Sequence, residues 1–113
     1  MAGDSVNRGD NRDQWDMLFH YAEGVFDRRP VVPALGNHDY AKEFDAQYYV
    51  DLLDLPKNGP DTIPVERAYS LRYGNALFLV LDSNQPHEAQ RGWIEDQLRT
   101  TDATWKFAVY HHP

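Results

Sequence analysis

The sequence predicts a layered α/β fold, and three observations predict it. Helical and strand patterns alternate along the chain, a hairpin signature sits in its second half, and polar residues cluster just beyond the apolar runs. Open α/β sheets gather their ligands at strand carboxyl ends, so the third observation bears on function as well as on fold.

From Asp10 onward, Trp15, Leu18, Phe19, Ala22 and Phe26 recur on one stripe of a helix. Asp10 and Asp13 give it an acidic, cap-like start, and Pro30 lies just past its end. His20 and Glu23 fall on the opposite face and read as solvated. Val31 to Leu35, closed by Gly36, is expected to be a short buried strand, although Pro33 removes one ladder donor from it. The stretch from Ala41 to Leu53 contains Phe44, Tyr48, Val50 and Leu52 without a clean period, and a helix is expected there. Pro56 to Pro64, rich in proline with Gly59 and Asn58, marks an exposed connection. Tyr69, Leu71 and Tyr73 then alternate up to Gly74-Asn75, and Ala76 to Leu81 form the second strand of a β-hairpin. Ser83 or Asn84 is the expected N-cap of the next helix, with Pro86 in its first turn and Trp93, Ile94 and Leu98 toward the core. Trp105 to Tyr110 forms the last predicted strand and delivers His111 and His112 at its end. The tryptophans are read as core residues.

Composition excludes several classes. The chain is 42% hydrophobic and 26% charged, with no apolar run of membrane-spanning length. Eleven basic against eighteen acidic residues leave a formal charge of -7, which works against a broad grip on nucleic-acid backbones while leaving a nuclease site open. Without cysteine there is neither a disulfide framework nor a thiolate metal site, and the compartment stays open. The first residues lack the basic and apolar stretches of a signal peptide. Because one polar segment begins almost at the first residue and another ends at the last, the chain is expected to be a fragment. Its oligomeric state is not legible.

Three segments carry the candidate chemistry: Gly3-Asp4, Gly36-Asn37-His38-Asp39 and His111-His112-Pro113. Each alone has a structural explanation: a Gly-Asp turn, an Asx turn with Asp39 capping the next helix, and loop histidines. Together, carboxylate, amide oxygen and imidazole are the donors that hard or borderline divalent ions require, and all three sit in the same positional context.

In this order and spacing the segments resemble the central motifs of the calcineurin-like metallophosphoesterases, particularly the branch containing purple acid phosphatase-like enzymes. The resemblance covers essentially the whole chain. It implies that residues 1–113 form one partial domain of a four-layer α/β/β/α sandwich, without the family's first Asp-x-His and last Gly-His-x-His motifs. It also implies a centre of two divalent ions (Mn, Fe or Zn) that hydrolyses phosphate esters. By position, Asp4 matches the ligand that bridges both ions, while Asn37 and His111 match ligands of the second ion. His38 matches the histidine that protonates the leaving alkoxide or steadies the phosphoryl oxygens. Arg8 and His112 are candidate substrate contacts, and Asn7 and Asp39 are candidate orienting partners. Asp82 is read as a cap of the neighbouring helix and His87 as a surface residue.

One departure is informative. Asn7 stands where purple acid phosphatases carry a tyrosine iron ligand, so tyrosinate chemistry is not implied. The run from Gly3 to Gly9 instead resembles the Gly-Asp-x-x-Asp-Arg-Gly of protein phosphatases, with Asn7 at the place of an aspartate that orients the histidine. The expected partner is a phosphate ester, either a monoester or a diester, and this chain alone is expected to be inactive. The competing reading is a noncatalytic remnant or binding module with at most a weak metal site.

Overall fold

The computed structural model describes the backbone of residues 1–113 and every side chain except that of Phe44. Strands β1 (Tyr69–Tyr73), β2 (Ala76–Val80) and β3 (Trp105–Val109) form one sheet in the order β1-β2-β3. β1 and β2 are the predicted hairpin, with Tyr73 opposite Ala76 across the two-residue turn. β3 runs parallel to β2, Phe107 beside Phe78, and is reached through helix α3 (His87–Thr100). Parallel strands need such a crossover. The arrangement also brings the carboxyl ends of β2 and β3 to the same side, where Asp82, Ser83, His111 and His112 lie.

The helix α3 covers one face of the sheet, with Trp93 and Ile94 against Leu77, Leu79 and Ala103. On the other face Tyr69 and Val80 pack with Ala34. Two expectations fail here. Leu98 is 42% exposed and Trp105 is 59% exposed. Gln90 takes a place on the inward stripe because its amide bonds both main-chain groups of Asp82, and this leaves Leu98 at the stripe's edge. Trp105 lies on β3, an outer strand of the sheet, whose residues are mostly exposed.

Helix α1 (Arg12–Tyr21) begins one residue later than its acidic start suggests, and it is Asn11 whose side chain accepts from Gln14 N. Trp15, fully buried, donates from its indole nitrogen to the Gly9 carbonyl at 3.1 Å. The helix stops at Tyr21 and gives way to turns from Ala22 to Arg29, near Gly24, a poor helix former. Phe26 nevertheless reaches Phe19, edge to face at 6.4 Å. His20 and His87 are exposed, as the sequence suggests.

Residues 31–35 do not become a named strand. They form a single parallel bridge, Ala34 with Ala2. Pro33 has no N–H to give, and its carbonyl accepts the buried hydroxyls of Tyr49 (3.0 Å) and Tyr69 (2.7 Å) instead of a strand partner. Between 41 and 53 the chain forms a short 3-10 turn, Lys42–Phe44, and helix α2 (Gln47–Leu52), and the Phe44 side chain lies outside the described residues. Tyr49 of α2 meets Trp15 edge-on at 6.4 Å in a core shared with Val6, Leu35, Tyr40 and Ala46. The 56–64 connection is not wholly exposed: Pro60 and Ile63 are buried, and the Asn58 amide bonds both main-chain groups of Ser70, standing in for a neighbouring strand. Among the described residues no helix is long and apolar enough to cross a membrane.

Candidate active site

Three loops meet beside the carboxyl ends of the sheet. The loop from Gly3 to Gly9 is anchored by buried Val6 and Gly9 and leaves Asp4, Asn7 and Arg8 outside. Gln14 of α1 fixes its path by accepting from Asn7 N (3.0 Å) and Arg8 N (2.9 Å). The second loop alternates in the same way, with Asn37 and His38 exposed and Gly36, Asp39 and Tyr40 buried. Asp39 is the staple between the two, accepting from Val6 N at 3.1 Å and Gly36 N at 2.9 Å. Burial pushes its carboxyl above the ordinary 3.8, against the pull of the Gly36, Val6 and Ser5 N–H groups.

The loops approach one another at backbone distance. A Cβ on Gly36 would lie 2.9 Å from Asp4 Cγ and closer still to Asp4 N and Oδ1. A Cβ on Gly3 would lie 2.5 Å from the His111 ring. Asp4 itself adopts φ 51°, a left-handed conformation that costs a non-glycine residue about 1 to 3 kcal/mol and recurs at functional sites.

The geometry around Asp4 joins the predicted ligands. Its Oδ1 accepts from His38 N at 3.0 Å, and its Oδ2 stands 3.3 Å from His111 Nε2. His111 Nδ1 donates to the Ala2 carbonyl at 2.7 Å, so the ring's other nitrogen points at a carboxylate. A neutral ring would present its lone pair there, and only a cation between the two atoms, a proton or a metal ion, makes the approach favourable. Two donors bound to one ion at about 2.0–2.2 Å stand about 3.0–3.4 Å apart across ordinary coordination angles. The spacing of this one pair is that of two donors sharing a divalent ion.

Asn37 joins by another route. Its Oδ1 lies 3.2 Å from His112 Nε2, and the His112 ring sits edge-on to that of His111 at 4.6 Å. Ser83 holds His112 from behind, at 3.0 Å from its main-chain nitrogen and 3.1 Å from Nδ1. The structure thus chains Asp4, His111, His112 and Asn37 together. Among the described residues no three His, Cys, Asp or Glu side chains form a group that could hold a metal ion.

His38 Nδ1 donates to the Asn7 main-chain carbonyl at 2.9 Å. The orienting task expected of the Asn7 side chain is carried out by its backbone, through Nδ1 and not Nε2 of the ring. Arg8 is not drawn to this group: it pairs side-on with Asp10 at 3.2 Å and remains largely exposed. Asp82 corrects a further expectation. It does not cap α3, whose cap position is Pro86 with no side-chain bond. Fully buried, it accepts the Tyr40 hydroxyl and, at 3.0 Å each, the main-chain and side-chain nitrogens of Asn84. Burial first, and then the bond to Asp82, raise the Tyr40 phenol well above its ordinary range.

Sequence reasoning misses Gln14, Tyr40, Ser83 and Gln90. Only Ser83 carries a usable signal, as a polar residue shortly past an apolar strand. A cleft of about 260 Å³ adjoins the site, bordered by His112, Ser83, His87, Ile94 and Tyr110.

An α/β scaffold that presents a carboxylate and an amide oxygen in loops beside the imidazoles at the end of β3 has the equipment of a metal-dependent hydrolase. The calcineurin-like phosphoesterase family model matches residues 1–113, and the chain belongs to that family. Membership carries metal-dependent hydrolysis of phosphate esters, with divalent ions as cofactors, as general properties. Comparison with curated proteins finds none that matches this chain.

Proposed function

We propose that this chain supplies the central part of a binuclear divalent-metal centre that hydrolyses phosphate monoesters or diesters. In this reading its sheet belongs to a four-layer α/β/β/α sandwich of the purple acid phosphatase-like branch. The observation that carries the reading is the 3.3 Å approach of His111 Nε2 to Asp4 Oδ2 with His111 Nδ1 already committed to Ala2. Asp4, Asn37 and His111 are the metal ligands. Asp4 suits a bridging role because its two oxygens face different partners, His38 N on one side and His111 on the other.

Bound divalent ions would supply Lewis-acid polarisation of the phosphoryl oxygens and a lowered pKa for the attacking water. The chain's own residues do the rest. His38, fixed through Nδ1, directs Nε2 at the leaving group: in its imidazolium form, with both nitrogens protonated, it gives the Nε2 proton to the departing alkoxide as a water oxygen bonds to phosphorus and the ester P–O bond breaks, while the proton of the attacking water passes to solvent. His112 borders both the ligand group and the 260 Å³ cleft, which suits it to a substrate contact, and Arg8 would have to leave Asp10 to reach a phosphoryl oxygen. With asparagine at position 7 the centre has no phenolate donor, which favours Mn, Zn or ferrous ions over a tyrosinate-bound ferric ion.

The test is hydrolysis of a monoester, a diester and a nucleic acid by the full-length protein loaded with Mn²⁺, Fe²⁺ or Zn²⁺. His38→Ala is expected to lower kcat by about 10²- to 10⁴-fold, and Asn37→Ala to weaken metal binding. Unchanged activity in both variants overturns the assignment. With one carboxylate, one amide and one imidazole ligand, the 113-residue chain by itself is expected to show no turnover. Measured turnover by that chain would refute the ligand count.

A further inference from the structure

We propose that Ser83 is a positioning residue for the metal site, acting through His112 to hold the Asn37 side chain with its oxygen, not its NH₂ group, toward the ligands. The inference rests on the ligand assignment above and adds a residue that the family motifs do not contain. The two ends of an asparagine amide are nearly equal in shape, but only the oxygen can bind a metal ion. Something must choose between the two orientations.

The distances fit a chain of hydrogen bonds of one polarity, in which Ser83 donates to the ring. The His112 main-chain N–H donates to Ser83 Oγ at 3.0 Å, so that oxygen is already an acceptor and its own proton is available to His112 Nδ1, 3.1 Å away. A ring that accepts at Nδ1 carries its proton on Nε2. That proton meets Asn37 Oδ1 at 3.2 Å and would clash with the amide NH₂ were the side chain reversed. Asn37 Oδ1 keeps a second lone pair for the ion. The hydroxyl of Ser83 thereby sets the ring's tautomer, and the tautomer sets the amide.

Ser83 is itself held firmly. Its neighbour Asp82 is fixed at every polar atom: N–H to Gln90 Oε1 (3.1 Å), carbonyl from Gln90 Nε2 (2.8 Å), and a carboxylate taken by Asn84 and by the Tyr40 hydroxyl. Tyr40 lies three residues after Asn37, so a ring closes from Asn37 along the main chain to Tyr40, across to Asp82 and Ser83, and back through His112. Partners of this outer kind are worth about 10- to 100-fold in metal affinity when removed.

The experiment measures Mn²⁺ affinity by calorimetry on the full-length protein, with melting in chelator as the control for folding. Ser83→Ala is expected to bind Mn²⁺ about 10- to 100-fold more weakly at an unchanged melting temperature without metal. Ser83→Thr, which keeps the hydroxyl, should restore binding. Ser83→Cys, near in size with a weaker donor, should fall between them and serves as the reading if the alanine variant melts early. His111→Ala separates the two layers of inference. Manganese binding lost in His111→Ala but unaffected in Ser83→Ala and Ser83→Cys overturns the role of Ser83 alone. Binding equal in wild type and His111→Ala, or absent from both, overturns the ligand assignment and the role of Ser83 with it.

Discussion

Adding one methyl group at Gly36 and at Gly92 should have opposite consequences. At Gly36 the new carbon would sit 2.9 Å from Asp4 Cγ and nearer to Asp4 N and Oδ1, whereas ordinary contact begins at 3.4 Å. The second loop and the Asp4 loop must then part by the order of 1 Å, since one of the nearest atoms is the Asp4 backbone nitrogen, which no side-chain rotation can move aside. Such a shift breaks the 3.0 Å bond from His38 N to Asp4 Oδ1 and opens the 3.3 Å approach of His111. A lost bond to a charged group costs about 1.5–3 kcal/mol, and forced overpacking about 1–3 kcal/mol, so Gly36→Ala should destabilise by roughly 3 to 6 kcal/mol. Gly92, in the interior of α3, has nothing within 4 Å of the same added carbon, and there alanine should stabilise by about 0.5–1 kcal/mol. Urea unfolding in the presence of chelator reads both values from the midpoint at constant m-value. A Gly36→Ala midpoint within 1 kcal/mol (about the error of such reasoning) of wild type would refute the claim that the two loops are in backbone contact.

Trp15→Phe removes the indole N–H that serves the Gly9 carbonyl and leaves space beside Tyr49, and a loss of about 2–3 kcal/mol in the same unfolding assay is expected. Asn58→Ala strips the partner from both main-chain groups of Ser70, which should cost about 1–3 kcal/mol and raise amide exchange at Ser70 above that at Leu79, its neighbour in the hairpin; equal exchange at the two sites would count against it. At the surface, the Arg72 guanidinium bonds Asp102 at 2.6 Å and holds that carboxyl below the ordinary 3.8. A folded-state pKa below the unfolded one means that the pair's contribution is present above the unfolded value and is lost as pH falls through the folded value. An NMR titration should find Asp102 low in the wild type and back near its ordinary value in Arg72→Met, and no change on that substitution would show that the pair is not formed in solution.

How legible each element is in the sequence depends on the distance over which its signal acts. The β1-β2 hairpin depends on residues within one turn of each other, and it is legible down to the turn that sets its register. The helix stripe of Trp15, Leu18 and Phe19 is also legible, but its ends are not, because Asn11 rather than Asp10 caps it and turns replace its last residues. Residues 31–35 have the pattern of a strand without forming one, since the hydroxyls that satisfy Pro33 come from Tyr49 and Tyr69, sixteen and thirty-six positions away. The same limit governs the site. Asp4, Asn37, His38 and His111 stand out by residue type and spacing; the structure sets Asp4 against His111 and the His38 main chain, while Asn37 is linked to them through His112. Gln14 and Tyr40 do not stand out, because a glutamine on a helix or a tyrosine in a loop has no local mark of the partner it will find, and Ser83 is marked only by its place shortly past an apolar strand.

The hold on His38, which the sequence assigns to the Asn7 side chain, belongs to the backbone for a physical reason, and His111 is held in the same way. Main-chain carbonyls hold both rings by Nδ1, Ala2 for His111 and Asn7 for His38. A carbonyl acceptor fixes ring orientation and tautomer whatever side chain the residue carries, so the departure from aspartate at position 7 changes the charge near His38 without releasing it. Both carbonyls belong to the N-terminal segment, which lies this close to His111 and to the second loop where Gly3 and Gly36 leave no side chains between them and Asp4 takes a left-handed backbone. Glycine, backbone strain and tautomer therefore act together: the close approach lets Ala2 and Asn7 engage the two rings through Nδ1, and the nitrogen left over on His111 faces Asp4.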